Sequence, residues 1–417
     1  MDFFSSLLKR EVKNLLNVDI IGLTSKHVAN TYGRFPISIV RGKGTRVWDA
    51  DGREYLDFVS GLAVCNLGHC HPNVVKAIQQ QAEKLIHVSN LYHIETQSEL
   101  AKLLTDNSFA DRVFFCNSGA EANEAALKLA RKYFSNKGES RYQIITMEQS
   151  FHGRTFAALA ATGQKKYQAG FEPLLERFVY VPFNDIEAAK RAVNSTTAAV
   201  MVEPIQGEGG VNVPSESYLR ELKEVCKKAG ALLIFDEVQV GVGRTGTLFA
   251  YENYGVAPDI MTLAKGLAGG VAIGAMLSTE EIMSAFVPGT HASTFGGNPL
   301  ATAAGIAALK TIINEGILDN CRKSGAYLTE RLNGLKAKYA FIKEVRGKGL
   351  IIGMELAEDI KGGDIVKECL AKGLLINCVG DKVLRFIPAL VVTEKEVDEM
   401  LGILEPLLAQ AGAQAKV

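Results

Sequence analysis

The sequence predicts an α/β protein, with a large domain built on a mainly parallel sheet flanked by helices and a smaller α+β domain beside it. Three observations predict this. Between about residues 110 and 280, short continuous apolar runs alternate with amphipathic helical stretches. Such runs suit strands buried on both faces, as in parallel sheets covered by helices. Charged residues fall at or just past the ends of those runs, where open α/β sheets gather ligands. After about residue 315 the pattern changes, and strand-like and helical segments of a different composition follow.

The elements can be justified in order. "GTRVWDADGREYLDFVSG" has a hairpin pattern that turns at Asp51-Gly52 and joins the small domain. "GHCHP", 68–72, reads as a turn that starts a helix. "RVFF" (112–115) is a strand, and "AEANEAALKLARKYF" after it is a helix on which Glu124 and Lys128 form a surface pair. "YQIIT" (142–146) precedes "FHGRT", and "AAVMV" (198–202) precedes "EPIQGEGG". "ESYLRELKEVCKKAG" is a helix that stops at Gly230, as a C-cap would. "ALLIF", "DIMTLA" and "AIGAML" are the next strands. In the small domain "FIKEVRGKGLIIGMEL", "LLINCV" and "KVLRFIPAL" read as strands, with helices over 319–338, 363–372 and 393–408. The expected division is 65–318 for the large domain, with 1–64 and 319–417 forming the small one.

Bulk properties narrow the function. Of 417 residues, 46 are Lys or Arg and 46 are Asp or Glu, so the net charge is zero. Nucleic-acid and membrane-surface binders usually carry a basic excess, so neither partner is expected. The seven cysteines are scattered without a CxxC pair. That argues against a disulfide framework or a zinc site and favours a cytoplasmic setting; no metal is expected. The first twenty residues lack the apolar core of a signal peptide and read as an amphipathic arm.

One feature demands chemistry. "ALLIF" ends abruptly in Asp236 and Glu237, and a second apolar run ends near a lone Lys265. A lysine at a desolvated strand end can attack a carbonyl as a neutral amine. A buried acid can hold a heteroaromatic nitrogen protonated. Upstream, "CNSGAEANEAALKLAR" follows a strand and opens a helix; Ser118 can cap it and Gly119 lets the backbone approach an anion such as a phosphate. Ser118 taken alone reads equally well as a plain N-cap. A Schiff-base lysine, a ring-nitrogen acid and a phosphate cup are the parts that pyridoxal 5′-phosphate needs.

The ordered set "NTYGRFP", "NLGHCHP", "FFCNSGAEANEAALKLAR", "SFHGRT", "VEPIQGEGG", "IFDEVQVGVGRTG", "LAKGLAGG" and "HASTFGGNPLA" resembles the class III, ornithine-aminotransferase-like family of fold-type I pyridoxal-phosphate enzymes. The likeness runs from about Ala29 to the final helix. Within the family, "NTYGRFPISIVRGKG" and "HVSNLYHIETQSELAKLL" look most like the acetylornithine branch. The resemblance implies a Schiff base on Lys265 and a ring-nitrogen contact from Asp236, in a cofactor set that also takes in Glu237. It implies a ring-oxygen contact from Gln239, and Val238 and Phe151 on the two ring faces. Ser118, Gly119 and Ala120 would hold the phosphate. Thr294, with Ser293, would reach the phosphate of the neighbouring subunit, so a homodimer with shared active sites is expected.

The substrate roles follow in the same way. Arginine grips carboxylates bidentately. The resemblance gives Arg154 the α-carboxylate of acetylornithine, with Tyr32 nearby, and Arg385 that of glutamate or 2-oxoglutarate, with Glu208 covering Arg385 in the first half-reaction. Each arginine taken alone reads more simply as a structural ion pair. Cys65 replaces an asparagine common in that branch, and Leu62 stands where ornithine-specific members tend to carry a tyrosine, which leans toward an N-acylated donor. Ornithine, succinylornithine, succinyl-diaminopimelate and 4-aminobutyrate remain alternative donors. An aminomutase, a decarboxylase and a non-catalytic protein of the same fold are the alternatives of other kinds.

Overall fold

The computed structural model describes residues 15–414. The expected N-terminal arm falls largely outside them; its end, Asn17–His27, is helical.

A seven-stranded sheet forms the centre. We label its strands β1 (Arg112–Cys116), β2 (Gln143–Met147), β3 (Phe178–Val181), β4 (Thr197–Val202), β5 (Leu232–Asp236), β6 (Ile260–Leu263) and β7 (Gly274–Ser278). Their order is β1-β7-β6-β5-β4-β2-β3. Only β7 runs against its neighbours, so six strands point the same way. Every residue of β4, β5, β6 and β7 is buried, as the unbroken apolar runs require. β3 has no counterpart among the expected strands. It is a short edge strand, "FVYV", paired to β2; its run is apolar but only four residues long, too short to tell from other short apolar stretches.

The helix before β5 spans Tyr218–Ala229 and stops at Gly230, whose φ of 67° is the left-handed conformation that glycine adopts without strain. His71 precedes the helix Pro72–Ala82, with proline in its first turn. One expected contact fails. Glu124 does not pair with Lys128: its carboxylate accepts from the Thr155 hydroxyl and the Ala157 and Ala158 N–H groups, at 2.6, 3.0 and 3.3 Å. Three donors at the start of the next helix outcompete one solvated lysine, which lies 2.8 Å from His291 instead.

Two four-stranded sheets lie outside the central one. In the first, Ile39–Lys43, Arg46–Asp49 and Glu54–Asp57 run antiparallel, turning at Asp51-Gly52, and Leu374–Leu375 adds in parallel to Glu54–Asp57. The second pairs Ile342–Lys348, Ile351–Leu356, Val383–Phe386 and Asn377–Val379, and carries Arg385. One apolar cluster runs from Leu100, Leu267 and Leu309 through Ile352 and Phe386 to Leu404. No helix among the described residues is long and apolar enough to cross a membrane.

Candidate active site

Five of the six parallel strands deliver their next residues to one cavity of about 420 Å³. β1 leads to Ser118, β2 to Phe151, β4 to Glu203, β5 ends in Asp236, and β6 leads to Lys265. This is the carboxyl-end crevice of an α/β sheet.

The acid is the best-held group. Asp236 is 3% exposed. Its Oδ2 lies 2.7 Å from His152 Nδ1 and accepts from Asn123 Nδ2 at 2.8 Å, while Oδ1 accepts from the Val238 N–H at 3.0 Å. Thr262 donates to the Asn123 amide oxygen at 2.7 Å and so orients it. Sequence reasoning missed His152, Asn123 and Thr262. The "FHGR" and "SGAEAN" segments carry the first two, but nothing local says that three separate elements converge on one carboxylate.

Lys265 follows β6 at a φ of 40°, a strained value for a side-chain-bearing residue. It makes no hydrogen bond or ion pair among the described residues. Burial lowers its pKa, against the opposing pull of Glu208, which favours the neutral amine. At the other end, Ser118 caps the helix Gly119–Asn136 by accepting from the Glu121 N–H at 3.2 Å. Among the described residues, the Gly119 and Ala120 N–H groups are left free at the positive end of the helix dipole. A Cβ on Gly119 would meet Val238 Cγ1 at 2.6 Å, so the cup needs glycine.

These features match pyridoxal 5′-phosphate. Asp236 suits a protonated ring nitrogen, Lys265 an aldehyde, and the helix N-terminus a phosphate. Val238 and Phe151 line the cavity between them.

Glu237 departs from the expectation. It is 1% exposed but turns away from the cavity, accepting from the Ala250 and Tyr251 N–H groups at 2.6 and 2.7 Å. The alternation of side chains past a strand end sends adjacent residues to opposite sides. Burial pushes its carboxyl up to about 8. Glu203, which the sequence placed only at a strand end, lines the cavity and accepts from the Phe151 and Gly207 N–H groups at 2.9 and 3.2 Å. Burial raises it to about 7.

The two arginines differ sharply. Arg385 is 1% exposed and donates to Glu208 Oε1 at 2.7 Å, to the Gln239 side-chain oxygen at 3.2 Å and to the Gly207 carbonyl at 3.1 Å. Burial alone would raise the Glu208 carboxyl, but Arg385 and then Lys265 hold it below its ordinary value. Gln239 also donates to Glu208, at 3.3 Å, so Gln239 joins this pair as well as the cavity wall. Arg154 sits exposed at the cavity edge, with no ion pair among the described residues.

Three expected residues stand apart from the cavity of this chain. Tyr32 is 69% exposed and lies against Arg34. Thr294 is exposed on its loop. The Ser293 hydroxyl oxygen accepts from the Asn117 amide at 3.2 Å and the Gly296 N–H at 3.0 Å. The glycines after Thr294 have reasons within this chain: a Cβ on Gly296 would meet the Phe115 carbonyl at 2.2 Å, and one on Gly297 would meet Gln97 Nε2 at 2.2 Å.

Residues 27–408 match the family described as aminotransferase class-III. The chain belongs to this family. The acetylornithine aminotransferase of Caldanaerobacter subterraneus subsp. tengcongensis is 56% identical over 393 residues, covering 94% of this chain and 99% of that one. The Methanocaldococcus jannaschii acetylornithine aminotransferase is 53% identical over 392 residues, covering 94% and 98%. Among solved structures, the ornithine aminotransferase of Toxoplasma gondii superposes with a TM-score of 0.94 at 35% identity, covering all of both chains; that structure is described as holding PLP at partial occupancy in its active site. The fold is therefore that of the fold-type I aminotransferases.

Proposed function

We propose that this chain transfers the δ-amino group of N2-acetyl-L-ornithine to 2-oxoglutarate, giving N-acetyl-L-glutamate 5-semialdehyde and L-glutamate. We place it in arginine biosynthesis, in the cytoplasm, as a homodimer that uses pyridoxal 5′-phosphate. The observation that carries the reading is the Glu208–Arg385 pair, 2.7 Å long, whose Glu208 lines the cavity that also holds Lys265 and Asp236. A carboxylate-binding arginine that is already covered suits an enzyme whose two amino donors carry their carboxylates at different distances from the reacting amine. The relatives' names support the donor.

Pyridoxal 5′-phosphate, when bound, supplies an electron sink for the negative charge left when the amine-bearing carbon loses a proton. The chain's residues do the rest. Asp236, held by its three partners, would face the ring nitrogen. Gly119 and Ala120 would donate to the phosphate, and Phe151 and Val238 would hold the ring. Lys265, with its lowered pKa, takes the proton from the amine-bearing carbon and returns it. Arg154 holds the α-carboxylate of acetylornithine while Glu208 covers Arg385. In the second half-reaction Glu208 releases Arg385, which binds the α-carboxylate of 2-oxoglutarate.

The exposed apolar residues Leu91 (85%), Tyr92 (65%) and Phe295 (60%), close in sequence to the Ser293–Thr294 loop or packed near it through Asn90, support a second subunit covering that loop. The test is a half-reaction without keto acid, following conversion of the pyridoxal to the pyridoxamine form. N-acetylornithine should react fastest per molar donor; a faster reaction with ornithine or 4-aminobutyrate would overturn the substrate. Glu208→Ala should shift the ratio of kcat/KM toward glutamate, and an unchanged ratio would remove the gate.

A further inference from the structure

Arg154 is held in an unusual way. Its guanidinium makes no hydrogen bond and no ion pair among the described residues, so its donors are open. What fixes it is aromatic. The Tyr167 ring centroid lies 4.1 Å from the Arg154 Cζ, and that of Phe151 lies 5.6 Å away. The two rings meet edge-on, with centroids 5.6 Å apart and planes at 80°. Arginine is planar and weakly hydrated, so it stacks on ring faces without giving up the edge that meets a carboxylate.

The chain builds Tyr167 into place. Gln164, 5% exposed, donates to the Gln149 and Ser150 carbonyls at 3.2 and 3.0 Å, and the Tyr167 N–H donates to the Gln164 carbonyl at 3.0 Å. Gln168 secures the next position by donating to the Thr162 carbonyl at 2.8 Å. The turn carrying Tyr167 is thus tied to the segment that presents Phe151 and Arg154.

We propose that Tyr167 is a positioning residue for donor specificity: its ring face holds Arg154 at the cavity edge, unpaired and ready for the donor's α-carboxylate. This rests on the carboxylate role assigned to Arg154 above. A salt-bridge partner would fix the arginine as well, but it would compete with the substrate. A ring face orients the cation without competing. The aromatic pair also couples the residue on the cofactor's ring face, Phe151, to the one that reads the substrate.

The experiment compares two donors that differ only in the carboxylate, N-acetylornithine and N-acetylputrescine, in the holoenzyme. In Tyr167→Leu, kcat/KM for N-acetylornithine should fall about tenfold, carried by KM, while that for N-acetylputrescine stays within about twofold. Tyr167→Phe keeps the ring face and should stay within about threefold of wild type on both. Equal losses on both donors in Tyr167→Leu, or no loss on either, would overturn the proposal. If Tyr167→Leu does not fold, Tyr167→Met is read the same way. A wild-type enzyme with no preference for N-acetylornithine over N-acetylputrescine would overturn the carboxylate role of Arg154 itself. A preference that Tyr167→Leu leaves intact would overturn only the part given to Tyr167.

Discussion

At the scale of single residues, the site turns on how one buried carboxylate is held in place. Asp236 has two side-chain partners and a backbone donor. Its neighbour Glu237, also buried, points the other way, and burial lifts its carboxyl to about 8 despite two backbone N–H groups. Adjacent acids thus serve the pocket and the scaffold respectively. Replacing His152 by Leu leaves Asp236 with two partners and a carboxylate less firmly held toward the ring nitrogen. A hydrogen bond to a charged group is worth roughly 1.5–3 kcal/mol. We expect affinity for pyridoxal 5′-phosphate to fall at least tenfold, read by titrating apoenzyme with cofactor. Unchanged affinity would mean that Asn123 and Val238 suffice.

At the scale of elements, strand ends and helix starts do the positioning, and some of their contacts titrate. Asp57 closes the strand Glu54–Asp57 and accepts from the Val59 and Ser60 N–H groups at 2.8 and 3.0 Å, pinning the turn that follows. It also lies 2.7 Å from His69 Nε2. Asp57, and then Cys65, raise the His69 pKa to about 10. Unfolded histidine titrates near 6.5, so between these values the folded chain binds the extra proton. The pair's contribution is full below about pH 6.5, declines as pH rises, and is gone above about pH 10. The thermal midpoint of His69→Gln should therefore lie furthest below wild type at pH 6 and approach it at pH 10. A gap that does not change with pH would refute the protonated pair.

At the scale of the whole molecule, a buried cation joins segments far apart in sequence. Arg244 is fully buried and donates to the Leu350 and Pro388 carbonyls at 2.8 and 2.5 Å and to Asn66 Oδ1 at 2.6 Å. It has no carboxylate partner among the described residues, and burial pulls its pKa down to about 10. Arg244→Leu leaves three buried acceptors without donors, each costing about 1–3 kcal/mol, partly offset by removal of a buried charge. We expect a loss of about 3 kcal/mol, seen as a lower denaturation midpoint in urea. An unchanged midpoint would show that these carbonyls find other donors.

The fold class and much of the site were legible in the chain itself. Continuous apolar runs mark strands buried on both faces because no other environment accepts them, and Gly230 marks a helix end because few residues adopt its backbone. Asp236 and Lys265 stood out because a charge at the end of a buried run needs a reason. The edge strand β3 escaped because its apolar run, "FVYV", is only four residues long. The pairing of Glu124 could not be read from spacing, since donors 31 to 34 residues away outcompeted a neighbour four residues on. Only the tertiary structure decided which of two adjacent acids faces the cavity, that His152 and Asn123 converge on Asp236, and that Tyr167 stacks on Arg154. Each of these depends on side-chain direction and on contacts between distant segments, which local pattern does not encode.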